Sequence, residues 1–497
     1  MQSFVSHATA CPDDPALVRN GEETTYGELH RLAHRERARI TRLAPGPDDP
    51  IGILAVKSPS AIAQVLACLM EGRRFLLASP PSAQGPPQGP PQGLFRRAGC
   101  REVLSPESPP VPPEGPWPPV RPGRPRQVGP ADISFMFTTS GSTGRPKIVP
   151  LSTGAVDRFT DWAGARFAIR RGTTVLNYAP LTFDLCLLDI WTTLKHGGRV
   201  VLVDPDRATR AGHLLDLIAR HGVQLVQAVP MFFRLLIDAA AEGDQRLDTV
   251  EHAIFTGDSL PAPCLAELPR LFRNAQLYNL YGCTETNDSF LYEVDGTEPT
   301  SGPLPIGRPL PGVHAVIVGA DGEPLTGPGT GELQVATPFQ TDGYLDPEQD
   351  ADRFATHPDG ARERRYFRSG DLVRRAGDGR ITLVGRTDHQ VKVRGVRVNT
   401  QEVEQVLLEH REVTEAAVVA VPDPLAGRLL HCVVRRDPAG RLNSLDLRRH
   451  CAQRLPPAAI PSVIGIVDDP LPRTSTGKID RAFVRSAGAR HRETEER

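Results

Sequence analysis

The sequence predicts an α/β protein: a large N-terminal domain of layered α/β subdomains, followed by a small α+β C-terminal domain. Apolar runs rich in Val, Ile and Leu, at 51–56, 199–203, 223–229 and 251–256, alternate with amphipathic stretches, the pattern of strands and helices stacked in layers. A chain of 497 residues is longer than one hydrophobic core organises, so at least two domains are expected. Near Gly385 the pattern changes: strand-like runs at 390–393, 416–421 and 429–434 alternate with helical stretches at 401–409 and 445–454, a unit of about a hundred residues. The domains are expected to span 1–387 and 388–497, with Asp388 at the joint.

Composition narrows the function classes. The chain carries 58 Lys and Arg against 59 Asp and Glu, a net charge of -1, so no global attraction to nucleic acid or an anionic membrane is expected. Eight cysteines are scattered without a CxxC pair, which argues against a zinc site or a disulfide framework and for reduced thiols. The N-terminal MQSFVSHATACPDDP lacks a basic start followed by an apolar run, and no stretch approaches a membrane-spanning length, so a cytoplasmic location is expected.

In chain order, the first irregular segment is 79–130, where PPSAQGPPQGPPQG and VPPEGPWPPVRPGRPRQVGP remove helix and central-strand options. It reads as a surface excursion with one buried piece around 94–104. A strand-like run at 133–137 then leads into TTSGSTGRPK, 138–147. Thr139, Ser140, Gly141, Ser142, Thr143 and Gly144 offer many backbone N–H and hydroxyl donors with little bulk, and Lys147 adds a point charge, a combination suited to the phosphates of a nucleotide. The spacing is not that of a Walker A loop. Further on, NLYGCTE at 279–285 sets a flat aromatic, a hydroxyl and a carboxylate beside glycine, and Asp371 presents two acceptor oxygens that match the donors of a ribose diol. No internal repeat is visible.

These stretches, with TYGEL at 25–29, FD at 183–184, GEL at 331–333, YFRSGDL at 366–372, GRTDHQVKVRG at 385–395 and LPRTSTGKIDR at 471–481, stand in the order found in the acyl-adenylate-forming superfamily, which the chain resembles over nearly its whole length. That superfamily includes acyl-CoA synthetases, luciferases, D-alanine-carrier protein ligases and the adenylation domains of nonribosomal peptide synthetases. The resemblance implies ATP and Mg²⁺. Adenine would stack on Tyr281 near Asn279, with Gly257 and Asp258 flanking the base. Thr284 would bond the α-phosphate, Glu285 would supply an oxygen to Mg²⁺, and Asp371 and Arg386 would hold the ribose and phosphate side. Cys283 stands where proline is usual. Lys478 would bridge the substrate carboxylate and the α-phosphate, which the chemistry needs, because attack brings two anions together. The small domain would be mobile, rotating about Asp388 so that the strand around 390–395 faces the active site for a second half-reaction with a thiol.

For the acid, the resemblance points to an amino acid: the aspartate after Phe183 in amino-acid-activating members pairs with the substrate ammonium, and Asp184 matches it. A buried ammonium needs such a partner. By the same resemblance the side-chain pocket is lined by Leu185, Leu188, Gln227, Ile254, Thr256, Leu280, Asp288 and Ser289. The leucines favour a compact side chain, whereas Gln227, Thr256 and Asp288 point to something polar, and the sequence does not name the amino acid. Only IDR and a charged tail follow Lys478, so the acceptor is expected to be a separate phosphopantetheinylated carrier protein, with coenzyme A second and an amine third. The rivals are an acyl-CoA ligase for a non-amino acid and a catalytically silent adenylate-binding protein.

Overall fold

Runs of consecutive buried, mostly apolar residues, such as FLLA at 75–78 and VVLV at 200–203, need cover on both faces, and in this chain such runs form inner strands of two parallel-rich sheets. The computed structural model describes residues 2–43, 48–80, 91–106, 129–139, 146–241, 243, 245–258, 260, 262–296, 304–350, 353–356, 364–387, 390–423, 427–437, 440, 442–472, 479, 481 and 484. One sheet has nine strands in the order Arg308–Pro309, Asn287–Glu293, Gln276–Cys283, His252–Thr256, Leu225–Ala228, Thr174–Asn177, Arg199–Leu202, Pro15–Arg19, Glu22–Thr25. It is parallel from Gln276–Cys283 to Pro15–Arg19 and antiparallel at both edges. Alternation assigns successive residues to opposite faces: Val175, Val200, Leu225 and Ile254 join one core, and Leu176, Val201, Val226 and Ala253 join another.

The second sheet runs Glu102–Leu104, Ile51–Leu54, Phe75–Ala78, Ile133–Thr139, Lys147–Ser152, with only its last pair antiparallel. A third, antiparallel sheet of five strands spans His314–Val318, Gly329–Ala336, Phe354–Thr356, Arg365–Arg375 and Ile381–Arg386. After it comes a hairpin, Gln390–Val393 with Val396–Asn399. A three-stranded sheet, Val413–Asp423, Gly427–Arg436, Val463–Val467, then packs with helices Thr400–Leu408 and Ser444–Ala452 around a core of their own.

The expected strands appear within a residue or two of the sequence reading in the large sheets; in the C-terminal part Gln390–Val393 falls as expected, while Val413–Asp423 and Gly427–Arg436 run longer than expected at both ends. In the Pro/Gly-rich excursion the buried piece is a helix, Pro91–Arg97, that inserts Phe95, and the strand Glu102–Leu104. All eight cysteines are free thiols. Among the described residues no helix is long and apolar enough to cross a membrane.

Candidate active site

In an open sheet of parallel strands, ligands bind beyond the carboxyl ends, and here those ends converge with one hairpin. The strand Gln276–Cys283 leaves the sheet, turns through Thr284, Glu285 and Thr286, and returns as Asn287–Glu293. The turn is tight. Asn287 adopts φ 56°, in the left-handed region, and a Cβ at Gly282 would lie 2.3 Å from the Asn287 carbonyl oxygen, so only glycine fits there. This places Asn279, Tyr281, Thr284, Glu285 and Asp288 at one end of the sheet.

A single cavity is lined by Gly257, Asp258, Asn279, Leu280, Tyr281, Asp371 and Arg386. Tyr281 donates its hydroxyl to Asp371 Oδ2 at 2.5 Å, and the Arg386 guanidinium pairs with the other Asp371 oxygen while bonding the Ser369 carbonyl at 2.9 Å. Asp371 and Arg386 lie opposite each other in antiparallel register. Asn279 is anchored through its amide to the Pro305 carbonyl at 2.8 Å. Leu304, Ile306, Leu383 and Arg428, to which the sequence reading gave no role, and Gly385 and Lys392, which it placed only within the 385–395 motif, complete the lining. Lys392 belongs to the strand Gln390–Val393, and just beyond it a Cβ at Gly395 would meet Val229 at 2.4 Å. Lys392, on the segment expected to turn toward the cleft, lines the cavity in this arrangement.

At the other side of the hairpin, Glu285 is buried and accepts from the Tyr344 hydroxyl at 2.8 Å and from Thr139 at 3.5 Å. Burial and the adjacent Glu285 carboxylate raise the Tyr344 phenol far above its ordinary value, so it stays a donor. Lys147 is nearly buried, its ammonium 4.2 Å from the centre of the Tyr344 ring. Thr139 and Lys147 pair across two antiparallel strands, with Thr139 beside Glu285. Ser140, Gly141, Ser142, Thr143 and Gly144 themselves, like Asp388 and Lys478, lie outside the described residues. Among the described residues no group of three or more His, Cys, Asp or Glu could hold a metal ion unaided. One carboxylate flanked by hydroxyls instead fits Mg²⁺ that keeps most of its shell as water and phosphate oxygens.

Asp184 sits just before a helical segment and accepts a hydrogen bond from Thr284. Burial raises its carboxyl above the usual range. The Thr284 bond opposes that shift, the Glu285 charge adds to it, and Lys392 opposes it more weakly. Asp288 is pushed up to about 8 by burial and then by Asp184, against Lys392. Parallel register puts Gln227 level with Asn177 and Ile254, and Thr256 level with Leu280, so these residues form two rows on the sheet. Leu188, Gln227, Ile254, Thr256 and Leu280 are buried and Leu185 is half-buried. Ser289 is buried too, its hydroxyl bonded to Thr286 and to the Asn287 carbonyl, which braces the hairpin.

Beneath this floor lies a polar cluster that the sequence reading did not assign. Asp189 is fully buried on a π-helical turn, Leu187–Thr192, and accepts from the Asn177 amide at 3.1 Å. Lys57 reaches the Tyr178 and Asn177 carbonyls at 2.9 and 3.3 Å. Burial drives Asp189 well above the carboxylate range and Lys57 down to about 8. The one sequence signal was a charged residue inside the apolar run LCLLDIW. Asp189→Ala removes the partner of a buried amide, and chemical denaturation is expected to record a loss of about 1–3 kcal/mol.

Comparison with known proteins agrees with this geometry. The AMP-binding enzyme family matches residues 92–345, and the AMP-binding enzyme C-terminal domain matches 402–478. An L-proline–[L-prolyl-carrier protein] ligase of Pseudomonas fluorescens is 35% identical over 71% of this chain and 68% of that protein. A ligase of the same name from Streptomyces coelicolor is 30% identical over 94% and 92%. An artificially fused adenylation–PCP di-domain from Klebsiella oxytoca superposes with a TM-score of 0.78 at 25% identity, over 93% of each chain. With both parts matched and the cleft between them lined as described, the chain belongs to the AMP-binding enzyme family.

Proposed function

We propose that the chain uses ATP to activate the carboxylate of an amino acid as an aminoacyl-adenylate, releasing pyrophosphate. It then passes the acyl group to the phosphopantetheine thiol of a separate carrier protein. The observation that carries this reading is the convergence of Asp184, Thr284 and Glu285 on one hairpin beside the cavity of Tyr281, Asp371 and Arg386. Carrier-protein ligases among the relatives support the acceptor.

In this reading Asp184 anchors the substrate ammonium. Because burial makes a lone carboxylate costly there, the pair forms where either charge alone would be unfavourable. Thr284, hydrogen-bonded to Asp184, aligns the substrate carboxylate with the α-phosphate. Asn279, Tyr281, Gly257 and Asp258 enclose the base, and Asp371 with Arg386 holds the ribose. Glu285 would hold Mg²⁺, which supplies charge neutralisation to the polyphosphate when bound. The loop 140–144 and Lys147 cradle the β- and γ-phosphates, and Lys478 stabilises charge at the transferring oxygens. Residues 388–497 then swing about Asp388, exchanging Lys478 for the strand Gln390–Val393 so that a thiol can reach the adenylate.

Amino-acid-dependent ATP–pyrophosphate exchange, followed by intact-mass detection of a loaded carrier protein, tests this. Exchange confined to fatty or aryl acids would replace the amino acid by another carboxylate, and acyl-coenzyme A as sole product would replace the carrier. Lys392→Ala is expected to slow carrier loading by about tenfold, one contact of roughly 1.4 kcal/mol, with exchange much less affected; rapid-quench kinetics of the two half-reactions separates them.

A further inference from the structure

We infer that a second cavity, separate from the cleft of Tyr281 and Asp371, binds a small, uncharged and largely apolar molecule through one acceptor oxygen, received by the indole N–H of Trp191. The cavity, about 210 Å³, lies between the strand Ile133–Thr139, the helices Pro59–Glu71 and Thr153–Arg166, and the π-helical turn Leu187–Thr192. It shares no lining residue with the cavity of Tyr281, Asp371 and Arg386. It touches its strand at Ile133, Ser134 and Phe135, the end away from Thr139 and Glu285.

The wall is mainly apolar, built on Leu66, Leu69, Phe135, Trp191 and Leu194, with the Phe135 and Trp191 rings edge to face at 5.6 Å. Apolar cavities of about 150 Å³ already admit benzene, so a single ring with a short substituent fits here. Trp191 sets this cavity apart from a packing void. Indole has one polar atom, a donor. Here the residue is 7% exposed, and that N–H has no hydrogen-bond partner among the described residues. The hydroxyl of Ser134, a buried residue also in the lining, has none either. A buried donor left unmet is costly, and an acceptor oxygen in the cavity removes that cost. Water would meet the donor but not the apolar wall. The charges at the edge leave no demand for an ion: Lys195, in the lining, is held by Asp157 at 3.1 Å and Asp161 at 2.8 Å, and also bonds the Thr160 hydroxyl at 2.9 Å. With Arg73 as the other lining cation, two cations stand against two carboxylates.

The test uses the full chain with acetophenone, with α-methylstyrene, which keeps that shape but replaces the oxygen by a methylene, and with benzoate. Dissociation constants are measured by saturation-transfer difference NMR. Acetophenone is expected to bind about three- to tenfold more tightly than α-methylstyrene, the worth of one hydrogen bond, and more tightly than benzoate. In protein carrying nitrogen-15-labelled tryptophan, one of the three indole N–H signals is expected to move downfield, as a hydrogen-bonded N–H does, with acetophenone and not with α-methylstyrene. Trp191→Phe is expected to remove that signal and bring the two affinities together. Binding of neither neutral compound, equal affinities in the parent, tighter binding of benzoate, or a ratio unchanged in Trp191→Phe overturns the inference. Should Trp191→Phe not fold, the parent's ratio and its indole signal still decide. Adenylation is no part of the readout, so the two readings stand or fall separately.

Discussion

Lys478→Ala is expected to lower amino-acid-dependent ATP–pyrophosphate exchange by about a hundred- to a thousandfold, while ATP binding measured by calorimetry stays close to that of the parent. The difference follows from when the charge is needed. In the proposed reading the 140–144 loop and Lys147 hold the phosphates of bound ATP, so the ground state is expected to lose little. As the substrate carboxylate approaches the α-phosphorus, two anions are forced together, and a fixed cation is worth most at that moment. Comparable exchange in variant and parent would assign the role to another cation, with Lys392 and Arg428, already in the cavity, as the next candidates.

Asp184→Ala is expected to raise the KM for the amino acid by about a hundredfold or more, because removing one member of a desolvated charge pair typically costs about 2–5 kcal/mol. The KM for ATP should move little, since the cavity proposed for the nucleotide is built from Tyr281, Asp371 and Arg386. The variant also frees Thr284, whose hydroxyl bonds Asp184, so a fall in kcat accompanies the larger KM effect. An unchanged amino-acid KM would contradict the ammonium assignment.

The order of strands and motifs was legible in the sequence because each motif is local: a strand, a turn, and the side chains the turn presents. NLYGCTE is a strand end and hairpin, and Gly282 is there because the hairpin leaves no space for a Cβ. What escaped the sequence depends on distant chain segments. Asp371 and Arg386 were both assigned to the ribose, yet their ion pair and its bond to Tyr281 arise only from sheet register and from a hairpin ninety positions away. Lys57 belongs to a loop after a strand of the other sheet and meets Asn177 across 120 positions. Asp189 drew no reading of its own from the sequence; the π-helical turn and complete burial give it its place. The antiparallel sheet between His314 and Arg386 carried too little apolar alternation to stand out, with strands such as Ile381–Arg386 only half-buried.

The most direct measurement is a crystal structure with a non-hydrolysable aminoacyl-adenylate analogue. The adenosine should lie against Tyr281 with its ribose on Asp371, and the α-ammonium should sit within hydrogen-bond distance of Asp184. A nucleotide bound outside this cleft, or an ammonium directed away from Asp184, would contradict the assignment of the cleft as the place where the amino acid is activated.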